Sequence, residues 1–105
     1  YRDYEDRPTE KLEADMKLWW VHAEALCAFL LAHRMTGREE FWDWFESTWA
    51  WTREHFSDPR FGEWYGYLDR RGNPALTLKG GKWKGMFHTP RALLVCLRLL
   101  DEYGR

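Results

Sequence analysis

The chain has almost no net charge: 16 Lys and Arg residues face 17 Asp and Glu, leaving −1. Without a basic surplus, nucleic-acid binding has no general electrostatic basis. No apolar run approaches the roughly 20 residues that a membrane-spanning helix needs. The longest, Ala25–Ala32, meets His33 and Arg34 at once. Neither a membrane nor a nucleic acid is therefore expected as a partner. Cysteine is scarce, and Cys27 and Cys96 stand apart in helical patterns. They read as small buried hydrophobes rather than a disulfide or a metal pair. No set of His, Cys, Asp and Glu has metal-ligand spacing, and no Ser-His-Asp arrangement is evident. No signal-peptide pattern is visible. The first residue is Tyr, so the native start is expected to be absent or processed. A cytoplasmic location follows.

What the chain has in excess is aromatic surface. Eight Trp, five Tyr and six Phe make up 18% of its 105 residues. Each large ring buries about 150–250 Å² when covered. One small domain, or part of a larger one, cannot cover them all, so some should line a cleft or an interface.

Residues 1–15 form a polar lead-in segment with one proline. Residues 16–35 then carry Met16, Trp19, Trp20, Leu26, Phe29, Leu30 and His33 at helical spacing, and Gly37 stands past the last turn. A second helix is expected over 38–56, with Phe41, Trp44, Phe45, Thr48, Trp49, Thr52 and Phe56 inward. Thr36 and Glu39 have capping-box spacing. The short link between these helices predicts an αα-hairpin. Phe61–Asp69 and Ala75–Leu78 read as two strands joined through Arg70–Pro74. A third helix is expected from Thr89 as N-cap, with Pro90 first inside, to about Tyr103, where Gly104 ends it. Its inward residues are expected to be Leu93, Leu94, Leu97, Leu100 and Tyr103. Val95, Cys96 and Leu99 make it apolar on most sides, so one neighbour cannot bury it. Self-association, or the remainder of a larger domain, is expected to do so.

The segment with most chemistry is Lys79-Gly-Gly-Lys-Trp-Lys-Gly-Met-Phe-His-Thr-Pro-Arg91. Its glycines let the backbone bend over a ligand. They deliver His88, a side chain suited to proton transfer near neutral pH, beside Arg91. Trp83 reads either as a core aromatic or as a flat face for a sugar. Lys79, Lys82 and Lys84 lack the P-loop frame and read as a solvated basic loop. In Lys17-Leu-Trp-Trp-Val-His-Ala-Glu24, Trp20 and Glu24 share a helical face. Trp20, His22 and Glu24 fit either an aromatic core plug or a sugar-lining rim. Glu63, within Gly62–Tyr67, is a candidate hydroxyl acceptor sharing a strand face with Tyr65 and Tyr67.

Three blocks, Lys17–Glu24, Asp58–Asp69 and Lys79–Arg91, resemble the N-acylglucosamine 2-epimerase family, which includes the animal renin-binding protein. The resemblance runs from about Glu13 to Tyr103 and matches the C-terminal part of a family member. It implies a mainly α fold: three helices and a short β-hairpin cut from an (α/α)6 barrel. It implies epimerisation between N-acylglucosamine and N-acylmannosamine by proton transfer at carbon 2, with relatives acting on cellobiose or mannose-type sugars. Two histidines share that work in the family, and His88 matches one. Arg91 would bind sugar oxygens, Trp83 would stack on the ring, and Trp20, His22 and Glu24 would form the rim. No cofactor is implied, and ATP enters only as an effector of the parent family.

The Pro-Gly-His block of the second histidine and the family's N-terminal arginine are missing from these residues, so the chain alone is expected to be inactive. His22, and Phe87-His-Thr-Pro-Arg91 in place of a Tyr-His-Asn-Ser-Arg block, favour the N-acylglucosamine branch over the cellobiose one. Two other readings stand beside this one. The first is a non-catalytic carbohydrate-binding or oligomeric interaction module. The second is a toroid glycoside hydrolase, for which Glu24 and Glu63 are the only candidate carboxylates.

Overall fold

The computed structural model describes residues 15–103. The lead-in segment up to residue 14 and Gly104, the expected helix stop, lie outside the described residues. The element order is β1 (Lys17–Leu18), α1 (Trp19–Thr36), α2 (Glu39–His55), β2 (Tyr67–Leu68) and α3 (His88–Glu102). No helix among the described residues is long and apolar enough to cross a membrane.

α1 is the central element and packs against both α2 and α3. Its ends are set locally. Gly37 takes the left-handed conformation at φ 70° and returns its N–H to the His33 carbonyl at 2.7 Å. The expected capping box does not form. Thr36 turns back to donate to the Ala32 carbonyl and accepts from the Arg38 N–H, while Glu39 pairs with His33 at 3.2 Å. Glu39 and Glu40 still occupy the first turn of α2, where acidic charge offsets the helix dipole.

The core gathers Trp19, Ala23, Leu26 and Leu30 from α1, Phe45 and Phe56 from α2 and its end, Trp64 and Leu68, and Ala92 and Cys96 from α3. Full burial of a Leu or Phe side chain stabilises by about 1.5–3 kcal/mol. Ala23 and Ala92 have no exposed surface, and their small size lets helices approach closely. Contacts of Glu24 with His88, Cys27 with Ala92 and His33 with Tyr103 show that α1 and α3 run parallel. Ring contacts of His22 with Trp51, Phe29 with Trp44 and His33 with Trp42 show that α1 and α2 run antiparallel, as the short linker predicts.

Several inward expectations are corrected. Met16 and Trp44 are exposed, as are Leu94 and Leu97 of α3; Trp20, left open between core and rim, is exposed too. α3 turns Thr89, Ala92 and Cys96 inward instead. Its two apolar faces are both leucine-rich, and the spacing alone does not say which meets α1. Thr89 is not the N-cap. Phe87 holds that place, and the Thr89 hydroxyl is buried with no partner among the described residues. Pro90 is third in the helix, where its missing N–H costs no intrahelical bond.

The sheet also differs from the expected hairpin. Tyr67–Leu68 pairs antiparallel with Lys17–Leu18, the lead into α1, and not with a strand at Ala75–Leu78. Of that hairpin there remain the Leu68–Pro74 bridge and the bonds from Ala75 N–H to the Tyr67 carbonyl and from Asp69 N–H to the Asn73 carbonyl. Pro74 has no N–H to extend a ladder. The turn between is held by Asp69, whose Oδ1 accepts the Arg71 and Asn73 N–H groups. Pairing with β1 carries β2 up to the start of α1, where the Trp19 N–H bonds the Gly66 carbonyl at 3.0 Å.

Candidate active site

The first turns of α1 and α3 lie side by side and carry the site. His88 opens α3 and Arg91 follows three residues later, so both reach the same side of the helix. They meet Glu24, in the second turn of α1. Glu24 Oε1 accepts from His88 Nδ1 at 2.8 Å and from an Arg91 guanidinium nitrogen. The hydrogen bond from Arg91, then that from His88, hold the Glu24 carboxyl below its ordinary range. The same pairing with Glu24 raises Arg91. Glu24 is thus an anion at neutral pH and can only accept. In the neutral imidazole the proton therefore sits on His88 Nδ1, which leaves the lone pair on Nε2.

His88 also lines a cleft of about 450 Å³ together with Leu18, Trp19, Trp20, Tyr67 and Trp83. Four of these six are aromatic. Trp20 lies tilted over the imidazole at 6.0 Å between centroids, and Trp19 meets it edge-on at 6.4 Å. Trp19 is buried, whereas Trp20 and Trp83 are open to solvent, Trp83 at 74% exposure. A flat apolar wall with one histidine is chemically suited to the C–H face of a sugar. Among the described residues, Trp19 Nε1 and Arg91 Nε are buried without a partner, two donors that the fold leaves unsatisfied.

Of the residues expected from sequence, the structure brings together Trp20, Glu24, Trp83, His88 and Arg91. It does not bring His22 or Glu63 to the cleft. The His22 ring stacks on Trp51 at 5.5 Å and packs on Phe56, with Nδ1 against the Leu18 carbonyl, so it faces α2. Burial there lowers its pKa. Glu63 leaves the strand geometry that would align it with Tyr67, because its backbone is left-handed at φ 62°. Its carboxylate binds Lys84 Nζ at 2.5 Å. Glu24 is held by His88 and Arg91, and Glu63 by Lys84.

The basic loop is also only partly solvated. Lys82 is exposed, its ammonium 4.9 Å from the Trp83 ring centre. Lys79 instead binds Asp58 and the Gly62 carbonyl. The Lys79 hydrogen bond, then the Arg60 N–H, bring Asp58 down to about 2. Lys84 is buried. Both lysines are thus engaged by carboxylates. Cys27 and Cys96 are free thiols, and burial raises both, Cys96 to about 12, as expected of inert small hydrophobes. Sequence reasoning placed Trp19 on a helical face and missed Tyr67 and Leu18 as lining residues. The β1–β2 pairing that places them leaves no periodic signal in strands of two residues.

A family model for N-acylglucosamine 2-epimerase matches residues 3–92. The chain belongs to the N-acylglucosamine 2-epimerase family. It is 44% identical to the N-acylglucosamine 2-epimerase of Rattus norvegicus over 95% of its length, which is 24% of that protein. With the N-acylglucosamine 2-epimerase of Bos taurus it shares 47% identity over 90% of its length and 22% of the relative's. Its backbone superposes on the cellobiose 2-epimerase of Spirochaeta thermophila with a TM-score of 0.78 and 33% identity, covering 86% of this chain and 23% of the other. The chain therefore spans about a quarter of the length of the relatives it matches. The mainly helical fold is part of an (α/α)6 barrel, as the resemblance implied.

Proposed function

We propose that this chain forms one wall of a sugar 2-epimerase site, where His88 moves the proton at carbon 2 of an N-acylglucosamine or N-acylmannosamine. The observation that carries the reading is the Glu24 carboxylate shared by His88 and Arg91 at the rim of an aromatic cleft. Glu24 holds the imidazole with its Nε2 lone pair free, as a general base requires. In the ring-opened sugar the carbon-2 hydrogen is acidified by the neighbouring aldehyde. His88 Nε2 takes that proton, the C–H electron pair forms a carbon-1–carbon-2 double bond, and the carbonyl oxygen takes the charge as an enolate. Return of a proton to the opposite face inverts carbon 2 and restores the aldehyde. That second proton carrier lies outside the residues described. The net change is a proton exchanged, so the chemistry calls for no redox cofactor. Arg91 steadies Glu24, while the Trp20 and Trp83 faces hold the sugar.

The N-acyl hexosamine is preferred to cellobiose on identity, 44–47% against 33% for the cellobiose 2-epimerase. With half of the proton transfer elsewhere, the chain alone is inactive, and the exposed Leu94 and Leu97 of α3 are covered by the remainder of the barrel or by self-association. The test is turnover of N-acetylmannosamine by the full-length protein, with His88→Ala beside it. Conversion to the gluco epimer that stops in the variant supports the reading, and undiminished conversion overturns it.

A further inference from the structure

Lysine is almost never fully buried unless paired. Lys84 is such a paired case, with a side chain only 3% exposed. Its ammonium donates to Glu63 at 2.5 Å and to the Lys79 carbonyl at 2.9 Å. The Gly81 N–H donates to the Lys84 carbonyl at 3.1 Å, closing the turn that contains Trp83. The aliphatic stem runs past Gly66. A Cβ at Gly66 would stand 3.0 Å from Lys84 Cδ and 3.6 Å from the Trp19 ring, so glycine is what admits the stem beneath the cleft. Glu63 is fixed in turn: its other oxygen accepts the Trp64 N–H, and its carbonyl accepts from the Asp58 N–H.

Trp83 has no comparable anchor of its own. Its ring is 74% exposed, with Lys82 over it at 4.9 Å. The backbone on either side must set its position, and Lys84 is the neighbouring residue tied to the body of the protein. We propose that Lys84, locked to Glu63, is a positioning residue that holds the Trp83 wall of the cleft at the distance a sugar ring needs. Lys84 does not touch the ligand and moves no proton. Its effect is on binding, through Trp83.

The kinetic consequence rests on the epimerase reading, and the test separates the two. Lys84→Met keeps the stem and removes the charge, and Glu63 is exposed enough to be hydrated once unpaired. Removing one member of a buried pair is costly when its partner stays buried, but Glu63 is 42% exposed and water can take up its charge. In the full-length protein, Lys84→Met should raise KM for N-acetylmannosamine about tenfold while kcat changes by less than about threefold. Lys84→Arg, which keeps the charge, should recover part of the loss. Trp83→Ala should raise KM similarly, and the double variant should add nothing beyond Trp83→Ala alone, because the two act through one wall. Independently of turnover, acrylamide should quench the Trp83 fluorescence more readily in Lys84→Met, taking Trp83→Phe as the difference reference. If Lys84→Met does not fold, Glu63→Gln takes its place with the same expectations. An unchanged KM with unchanged quenching overturns the proposal, as does loss of kcat in step with thermal stability. If His88→Ala retains full turnover, the epimerase reading fails while the quenching result still judges the role of Lys84.

Discussion

His88 Nδ1 lies 2.8 Å from the Glu24 carboxylate, and this contact between the start of α3 and the second turn of α1 fixes which imidazole nitrogen is free to react. Glu24→Gln keeps the size but weakens the acceptor and can present an amide N–H instead. In the full-length protein its kcat should fall about 10²-fold, and His88→Ala should fall further within the roughly 10²–10⁴-fold range of general acid–base catalysis. Progress curves with N-acetylmannosamine measure both. A Glu24→Gln enzyme as fast as the parent would refute the orienting role.

Trp20 is exposed yet lies over the His88 ring. Trp20→Ala should therefore leave the melting temperature nearly unchanged and raise KM about tenfold, equivalent to ~1.4 kcal/mol of lost binding. The result to look for is that split, and a large drop in thermal stability with normal KM would return Trp20 to the core.

Gly72 sits at φ 92° over the imidazole of His55, where an added Cβ would stand 2.7 Å from Nδ1. Gly72→Ala meets both the left-handed strain and that ring, so it should destabilise by about 1–3 kcal/mol. In the full-length protein, larger than the 150–250 residues for which 1 kcal/mol shifts the melting temperature roughly 2–4 °C, the fall per kcal/mol should be no more than that. Calorimetry checks it, and Gly80→Ala, with only a distant backbone oxygen near its added Cβ, is the control.

Asp58 titrates near 2 in the folded chain against an ordinary value of 3.8. The folded state therefore binds fewer protons than the unfolded one. Its contribution to stability is complete above 3.8 and is lost as the pH falls toward about 2. Glu24 acts in the same direction from its ordinary 4.5. Denaturant midpoints should fall between pH 4.5 and 2, less steeply in Asp58→Asn.

How much of this was legible beforehand depends on the length of the signal. The helices and the αα-hairpin follow from periods repeated over 15 or more residues. His88, Arg91, Glu24, Trp20 and Trp83 stand in two compact blocks. His22 was misplaced because one residue along a helix turns a side chain by about 100°. It lies two positions from Trp20 and so faces α2. Glu63 was misplaced because a left-handed residue breaks the alternation on which the strand reading relied. Lys84 could not be found by composition, since its burial depends on an acid 21 residues away and on a glycine that clears its path.

The parallel run of α1 and α3 has an electrical consequence. Two helix N-termini, each equivalent to about half a positive charge, face the same cleft. Neither helix has an acidic residue in its first turn to cancel that charge. A neutral sugar entering the cleft gains little from this field. In the proposed epimerisation, the enolate formed after proton loss gains about 0.3–1 kcal/mol from each helix end, so the backbone itself favours the intermediate over the substrate.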